Sequence, residues 1–231
     1  MRDDDEFVVF LDANVLAKPV TRTLVLRCAT SGYTVAWSEH AETEASRHMG
    51  ERQLSVQDLR ALVGIELSGS GEGLDRFATS GAGDRQILAD AEVAEATFLV
   101  TEDVDDFVDG DLALVGVSVV NPDLFLSERA DEATYRRALE AMVSGMTNPA
   151  RTPAQLHAAI ARQHPRLFAR HADLFDVKPE TSGHSEPRIL FRGETCLRCL
   201  MSRDASAIDA RGVCADCRQR AESVSTIDVG G

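Results

Sequence analysis

The apolar positions of this chain follow two patterns. Up to about residue 121 they form short unbroken runs of strand-forming types: FVVFL (7–11), YTVAW (33–37), TFLVT (97–101) and VGVSVV (115–120). Between these runs the spacing predicts helices over 21–30, from Ser38 as cap to Met49, over 55–66, and from Asp84 through DRQILADAEVAEA. The glycine- and serine-rich 68–83 reads as a loop. Nearly all-apolar strands alternating with helices belong to a parallel sheet buried on both faces. The expectation for 1–125 is an α/β fold, a three-layer α/β/α sandwich with a parallel sheet.

From Pro122 only helical spacing remains, over 122–128, 131–146, 153–163 and about 165–175. A helical extension is expected over 126–176, then a linker over 177–189 built on VKPETSGHSEP. A cysteine-bearing module occupies 190–221, and 222–231 reads as a frayed tail. No fixed-period repeat is present.

Composition adds class and location. With 44% hydrophobic and 27% charged residues among 231, the chain reads as globular rather than disordered. MRDDDEF is acidic where a secretory leader would be basic, and no apolar run approaches the roughly 20 residues of a membrane span. These features point to a cytoplasmic protein without a membrane partner. The net charge of −14 is uneven: 1–131 carries 10 Arg and Lys against 26 Asp and Glu, and 132–231 carries 14 against 12. The first part repels a polyanion unless metal ions neutralise a site within it. The stretch 148–171 has no acid and carries Arg151, Arg162, Arg166, Arg170 and three histidines, so it is the candidate polyanion-facing surface, or else an arginine-bearing solvated helix face.

The acids are concentrated where such a sheet presents ligands, beyond the carboxyl ends of its strands. Asp12 ends the first strand, and Asp103 and Asp106 follow TFLVT in the run TEDVDDF. Asp84 opens the helix leading into that strand, and Glu44 lies six residues after Ser38. Five acids from four segments are thus aimed at one edge, and magnesium and manganese prefer such hard oxygen ligands. Each has a plainer reading: Asp84 as a helix N-cap, and Glu39, Glu42, Asp105 and Asp109 as solvated charges. Asp12 is hardest to explain that way, because a lone charge ending an apolar strand is costly.

The segments VVFLDANVL, SEHAETEASRHM and GDRQILADAEVAEATFLVTEDVDDF resemble the PIN-domain ribonucleases, the family of the VapC-type toxins of toxin–antitoxin pairs. The resemblance covers about 7–125. It implies catalytic acids at Asp12, Glu44, Asp84 and Asp103, with Asp106 additional and Asn14 and Thr101 as polar supporting residues. It further implies magnesium or manganese held by Asp12, Asp84 and Asp103, and hydrolysis of RNA to a 5′-phosphate and a 3′-hydroxyl. An antitoxin partner and a homodimer are also family traits.

Two other readings compete. FLDAN and GDRQILAD also resemble the haloacid dehalogenase-like phosphatases, but Asn14 stands where those enzymes have a second aspartate, and the expected lysine is missing, since Lys18 and Lys178 are the only lysines. The non-enzymatic alternative is a nuclease fold kept as a scaffold for recruiting RNA or protein.

The last feature is Cys196-Leu-Arg-Cys199 and Cys214-Ala-Asp-Cys217, two C-x-x-C pairs separated by fourteen residues. That spacing suits a closed tetrahedral zinc site that supplies folding energy to a segment poor in apolar side chains. Cys28 lies in an apolar helix and reads as core.

Overall fold

In the computed structural model, five strands form one sheet in the order β2-β1-β3-β4-β5. They are β1 (Phe7–Leu11), β2 (Tyr33–Ala36), β3 (Phe98–Val100), β4 (Ser118–Val120) and β5 (Phe191–Arg192). The structure describes residues 7–29, 32–50, 53–79, 81–147, 149–181, 187 and 189–225, with side chains of the final helix through 221. The linker residues 182–186 and 188 and the tail from 226 lie outside this set.

The first four strands are parallel, with Phe10 opposite Ala36 and Leu99, and Val100 opposite Val120. β3 and β4 are buried at every position, so the sheet is covered on both faces. The chain leaves β1 to form β2 on one side and returns to form β3 on the other, which puts a topological switch between β1 and β3. A crevice opens at the carboxyl ends of strands at such a point.

Eleven α-helices accompany the sheet among the described residues: α1 (Ala13–Leu16), α2 (Pro19–Cys28), α3 (Glu39–His48), α4 (Val56–Val63), α5 (Ala82–Val93), α6 (Asp109–Val115), α7 (Pro122–Arg129), α8 (Glu132–Ser144), α9 (Pro153–Ile160), α10 (Pro165–Arg170) and α11 (Ala215–Ser225). Ser38 and Ser55 cap α3 and α4 through their hydroxyls.

Several boundaries differ from expectation. α6 lies where a loop and the start of a strand were expected. Gly116 ends it in the left-handed region at φ 69°, so β4 begins only at Ser118. α5 starts at Ala82 behind Gly81, so Asp84 is its third residue and not its N-cap. The sheet is not wholly parallel, because β5 comes from the cysteine segment and runs antiparallel to β4. α11 continues through Ser225 into the expected tail.

The helices after α7 pack onto the body. One cluster of buried apolar side chains runs from Phe10 and Leu99 through Tyr135, Leu139, Ile160 and Leu167 to Phe191 and Leu197. The three histidines of 148–171 are part of this interior, which corrects their assignment to a polyanion-facing surface. Thr21 Oγ1 and His164 Nε2 are 2.9 Å apart, Tyr135 Oη and His157 Nδ1 3.0 Å, and His171 Nε2 donates to the Ala130 carbonyl at 3.1 Å. Burial pushes His157 and His164 down to about 4 and also lowers His171, so these rings are neutral near pH 7.

The Asp123 carboxylate accepts the Arg166 and Leu167 amides, each at 3.0 Å, and so caps α10 from α7. Asp123→Ala strands two first-turn amides beside a buried residue, so we expect a loss of about 2 kcal/mol. At this chain length that is a fall of roughly 4–8 °C in a thermal melt, partly recovered in Asp123→Asn.

Candidate functional site

The acids meet at the β1–β3 switch. Backbone hydrogen bonds align the strand ends: the Asp12 amide donates to Val100 O and the Thr101 amide to Val120 O, both at 3.1 Å. Asp12 caps α1, its Oδ1 accepting the Ala13 amide at 2.6 Å. Its Oδ2 accepts the Thr101 hydroxyl at 2.6 Å and the Asn14 side-chain amide at 2.8 Å. The same Asn14 nitrogen is 2.9 Å from Thr101 Oγ1 and 3.0 Å from Asp103 Oδ2. Thr101 Oγ1 also accepts the Asp103 amide at 3.1 Å, and Asn14 Oδ1 accepts the Glu102 amide at 3.2 Å. Asn14 and Thr101 therefore tie the end of β1 to the loop after β3 and fix two carboxylates together.

Glu44 and Asp84 arrive from α3 and α5. The Glu44 carboxylate lies 3.6 Å from His40 Nε2, and an added Cβ on Gly83 would lie 3.8 Å from Glu44 Oε2. Asp84 folds back toward Gly81, where a Cβ would come within 2.5 Å of its Oδ2. Gly81 is also at φ 71°, so glycine serves both the helix start and the room for the carboxylate. The loop before α5 is held by two buried acids. Asp90 accepts the Gly71 amide at 2.8 Å, and Asp111 takes the Ala78 amide at 3.0 Å together with the amide and hydroxyl of Thr79.

The electrostatics record the crowding. Burial pushes Asp12 up from 3.8 to about 6, the charges of Glu44 and Asp103 add to the rise, and the Thr101 and Ala13 hydrogen bonds oppose it. Asp84 also rises to about 6, first through burial and then through Asp106, Glu44 and Asp103. The charges of Glu44 and Asp103 thus bear on both Asp12 and Asp84, and that of Asp106 on Asp84. No ion pair among the described residues involves Asp12, Asp84 or Asp103.

Asp105 and Asp109 are exposed. Glu42 is not the solvated charge expected: it is buried and accepts Trp37 Nε1 at 3.1 Å and Arg60 Nε at 3.0 Å. Two neighbours escaped the sequence reading. His40 is one helical turn before Glu44, a spacing that could have flagged it, whereas Lys18, which pairs with Glu102, carries no local signal. Of the arginines, Arg162 and Arg170 are exposed and Arg151 and Arg166 half-buried, with Arg162 Nη2 2.7 Å from Glu180.

The four cysteines form the second cluster. One ligand atom from each of Cys196, Cys199, Cys214 and Cys217 lies within 4.8 Å of the others, close enough to bind a metal ion. Among the described residues no set of three His, Asp or Glu side chains closes this tightly. The four thiols fit a closed tetrahedral site. Each C-x-x-C bends tightly: the Leu200 amide returns to Cys196 O at 2.9 Å with Leu200 at φ 58°, and the Cys217 amide to Cys214 O at 3.1 Å. Cys28 is buried in the main core, and burial, with Asp131 nearby, pushes its thiol up to about 12.

Comparison with protein-family models, with known proteins and with solved structures finds no match to this chain.

The sign of the pH dependence comes from the raised carboxyls. Asp12 and Asp84 titrate near 6 when folded against 3.8 ordinarily, so ionising them costs stability as pH climbs from about 4 through about 6. In metal-free protein, the melting temperature of Asp12→Asn should gain on the parent between pH 4.5 and 7.5 by about 3–6 °C. A gap that stays constant with pH would mean that Asp12 carries no such burden.

Proposed function

We propose that this chain is a divalent-metal-dependent endoribonuclease of PIN-like, three-layer α/β/α architecture. One observation carries the reading: five acids from four segments gather beyond the carboxyl ends of β1 and β3, and no cationic side chain among the described ion pairs neutralises Asp12, Asp84 or Asp103. Such a set is costly unless a cation serves it.

Asp12, Asp84 and Asp103 would hold magnesium or manganese. A bound ion supplies positive charge that acidifies a water and stabilises the leaving oxygen of a phosphodiester. The chain does the rest. Asn14 and Thr101 keep Asp12 and Asp103 from swinging apart, since the Asn14 amide donates to both carboxylates and the Thr101 hydroxyl to Asp12. Glu44 and Asp106 serve as further ligands or accept a proton from the attacking water, with His40 3.6 Å from Glu44 to receive it in turn. No serine or cysteine nucleophile is required. A phosphatase of the aspartyl-nucleophile type fits less well, because Asn14 spends its amide on Asp12, Thr101 and Asp103 and has no proton to lend.

RNA approaches a body of strong negative charge, so its affinity would come from Arg151, Arg162, Arg166, Arg170 and the arginines of the cysteine segment, without the buried histidines. The four thiols would bind zinc. A toxin role in the cytoplasm, with an antitoxin segment covering the acidic edge and a homodimer as the working unit, belongs to the same reading. The described residues include no helix long and apolar enough to cross a membrane.

The test is cleavage of a mixed-sequence RNA with manganese present. Asp12→Asn and Asp103→Asn should each lower the rate at least about a hundredfold while keeping the parent circular dichroism. Parent-like activity in either would remove that residue from the chemistry, and an inactive parent would leave the scaffold reading in its place. Metal analysis should return one zinc per chain, lost on replacing Cys199 or Cys217 with serine.

A further inference from the structure

The cysteine segment does more than hang from the sheet. β5 has only two residues, Arg192 opposite Val119 and Phe191 opposite Val120, too few to stay paired unaided. The chain on either side of β5 is locked to β4 and α7. The Asn121 amide donates to Leu190 O at 2.8 Å, and the Thr195 amide to Ser118 Oγ at 3.0 Å. Gly193 crosses so close above Ser118 that a Cβ would collide with its Oγ. Leu197, between the first two cysteines, is fully buried in the main core, and Gly212 packs against it and Phe191.

Two residues of α7 grip the same C-x-x-C loop. Arg129 Nη1 donates to the Leu197 carbonyl at 3.1 Å, and Glu128 Oε2 accepts Arg198 Nε at 2.6 Å. The Arg129 guanidinium also lies 4.9 Å from the centre of the Phe7 ring, at the start of β1. Four thiolates around one divalent ion leave a net double negative charge, and the charge of Cys196 bears on Arg129 and on Arg198. On the other side of β4, the Val120 carbonyl receives the Thr101 amide, and the Thr101 hydroxyl holds Asp12. A single β4 residue therefore separates the strand of the cysteine segment from the acid network.

We propose that a metal ion on Cys196, Cys199, Cys214 and Cys217 is the clamp that keeps β5 paired to β4 and thereby holds Thr101 in place, with Arg129 as the positioning residue that supplies the counter-charge. The cysteine centre is thus an internal support of the acidic edge. This rests on the metal occupancy proposed above and not on RNA hydrolysis.

The experiment is amide exchange by NMR on the full chain, reconstituted with zinc or stripped of it by a chelator, together with the zinc release rate. Stripping should speed exchange at Asn121, Thr195 and Thr101 by at least tenfold while β1 and β2 amides stay protected. With the cysteines intact, Arg129→Gln should release zinc at least fivefold faster and loosen the same three amides, and Arg129→Lys should restore retention. Unchanged exchange at Asn121 and Thr101 after stripping would overturn the clamp. So would a chain that takes up no zinc. Arg129→Lys as leaky as Arg129→Gln would overturn the counter-charge role. If stripping unfolds the whole chain, Arg129→Gln in loaded protein decides, since parent-like exchange and zinc retention there would reject the proposal. Exchange as expected in a protein that cleaves no RNA would sink the hydrolytic reading alone.

Discussion

Two like-charged side chains beyond the ends of different strands share one donor, and the rest of the molecule is arranged around that contact. Asp12 at the end of β1 and Asp103 beyond β3 both accept from the Asn14 amide, and the Thr101 hydroxyl closes the group by donating to Asp12. Carboxylates repel at such range, so the contact persists only if the backbone on either side cannot relax. The parallel pairing of β1 with β3 provides that rigidity, and the winding direction of the sheet changes at this point. The loop that delivers Asp84 is fixed by acids that face inward, Asp90 and Asp111.

The short helix α7 is where the parts of the chain come together. Phe125 packs edge-on to Tyr33 at 5.3 Å and lies 6.2 Å from Phe98, joining the helix to β2 and β3. Asp123 organises α10, and Glu128 and Arg129 hold the first cysteine loop. Every residue from Pro122 to Ser127 is buried, which leaves the helix no face free to turn. The later helices and the cysteine segment therefore do not behave as beads on a string, since both are built onto the same eight residues.

The strands and most helices were legible because their signals are local. FVVFL, YTVAW and TFLVT are nearly all-apolar runs of strand-forming types, and Ser38 and Ser55 are caps. The positions of Asp12, Asp84 and Asp103 were legible for the same reason, as each follows an apolar run or lies in a first helical turn. The features that could not be read depend on contacts distant in sequence. α6 buries only Asp111 and Leu112 and is defined by Gly116 and by the Thr79 that Asp111 holds 32 residues away. Glu42 is indistinguishable from Glu39 until Trp37 and Arg60 fold over it. The histidines of 148–171 look like part of a basic surface, but their partners Thr21, Tyr135 and Ala130 precede that stretch. β5 is two residues long, too short for any periodicity to mark it.

Those three histidines give the molecule an unusual response to acid. Their imidazoles fold neutral, so protonation of His157 and His164 between about pH 6.5 and 4 draws the folded state toward the unfolded one in the region of α8 to α10. Over the same interval Asp12 and Asp84 take up protons and shed the repulsion that Glu44 and Asp103 exert on both. Acidification therefore relieves one end of the shared core while undermining the other. The place where melting starts should migrate along the chain as the medium sours, even where the overall melting temperature barely moves.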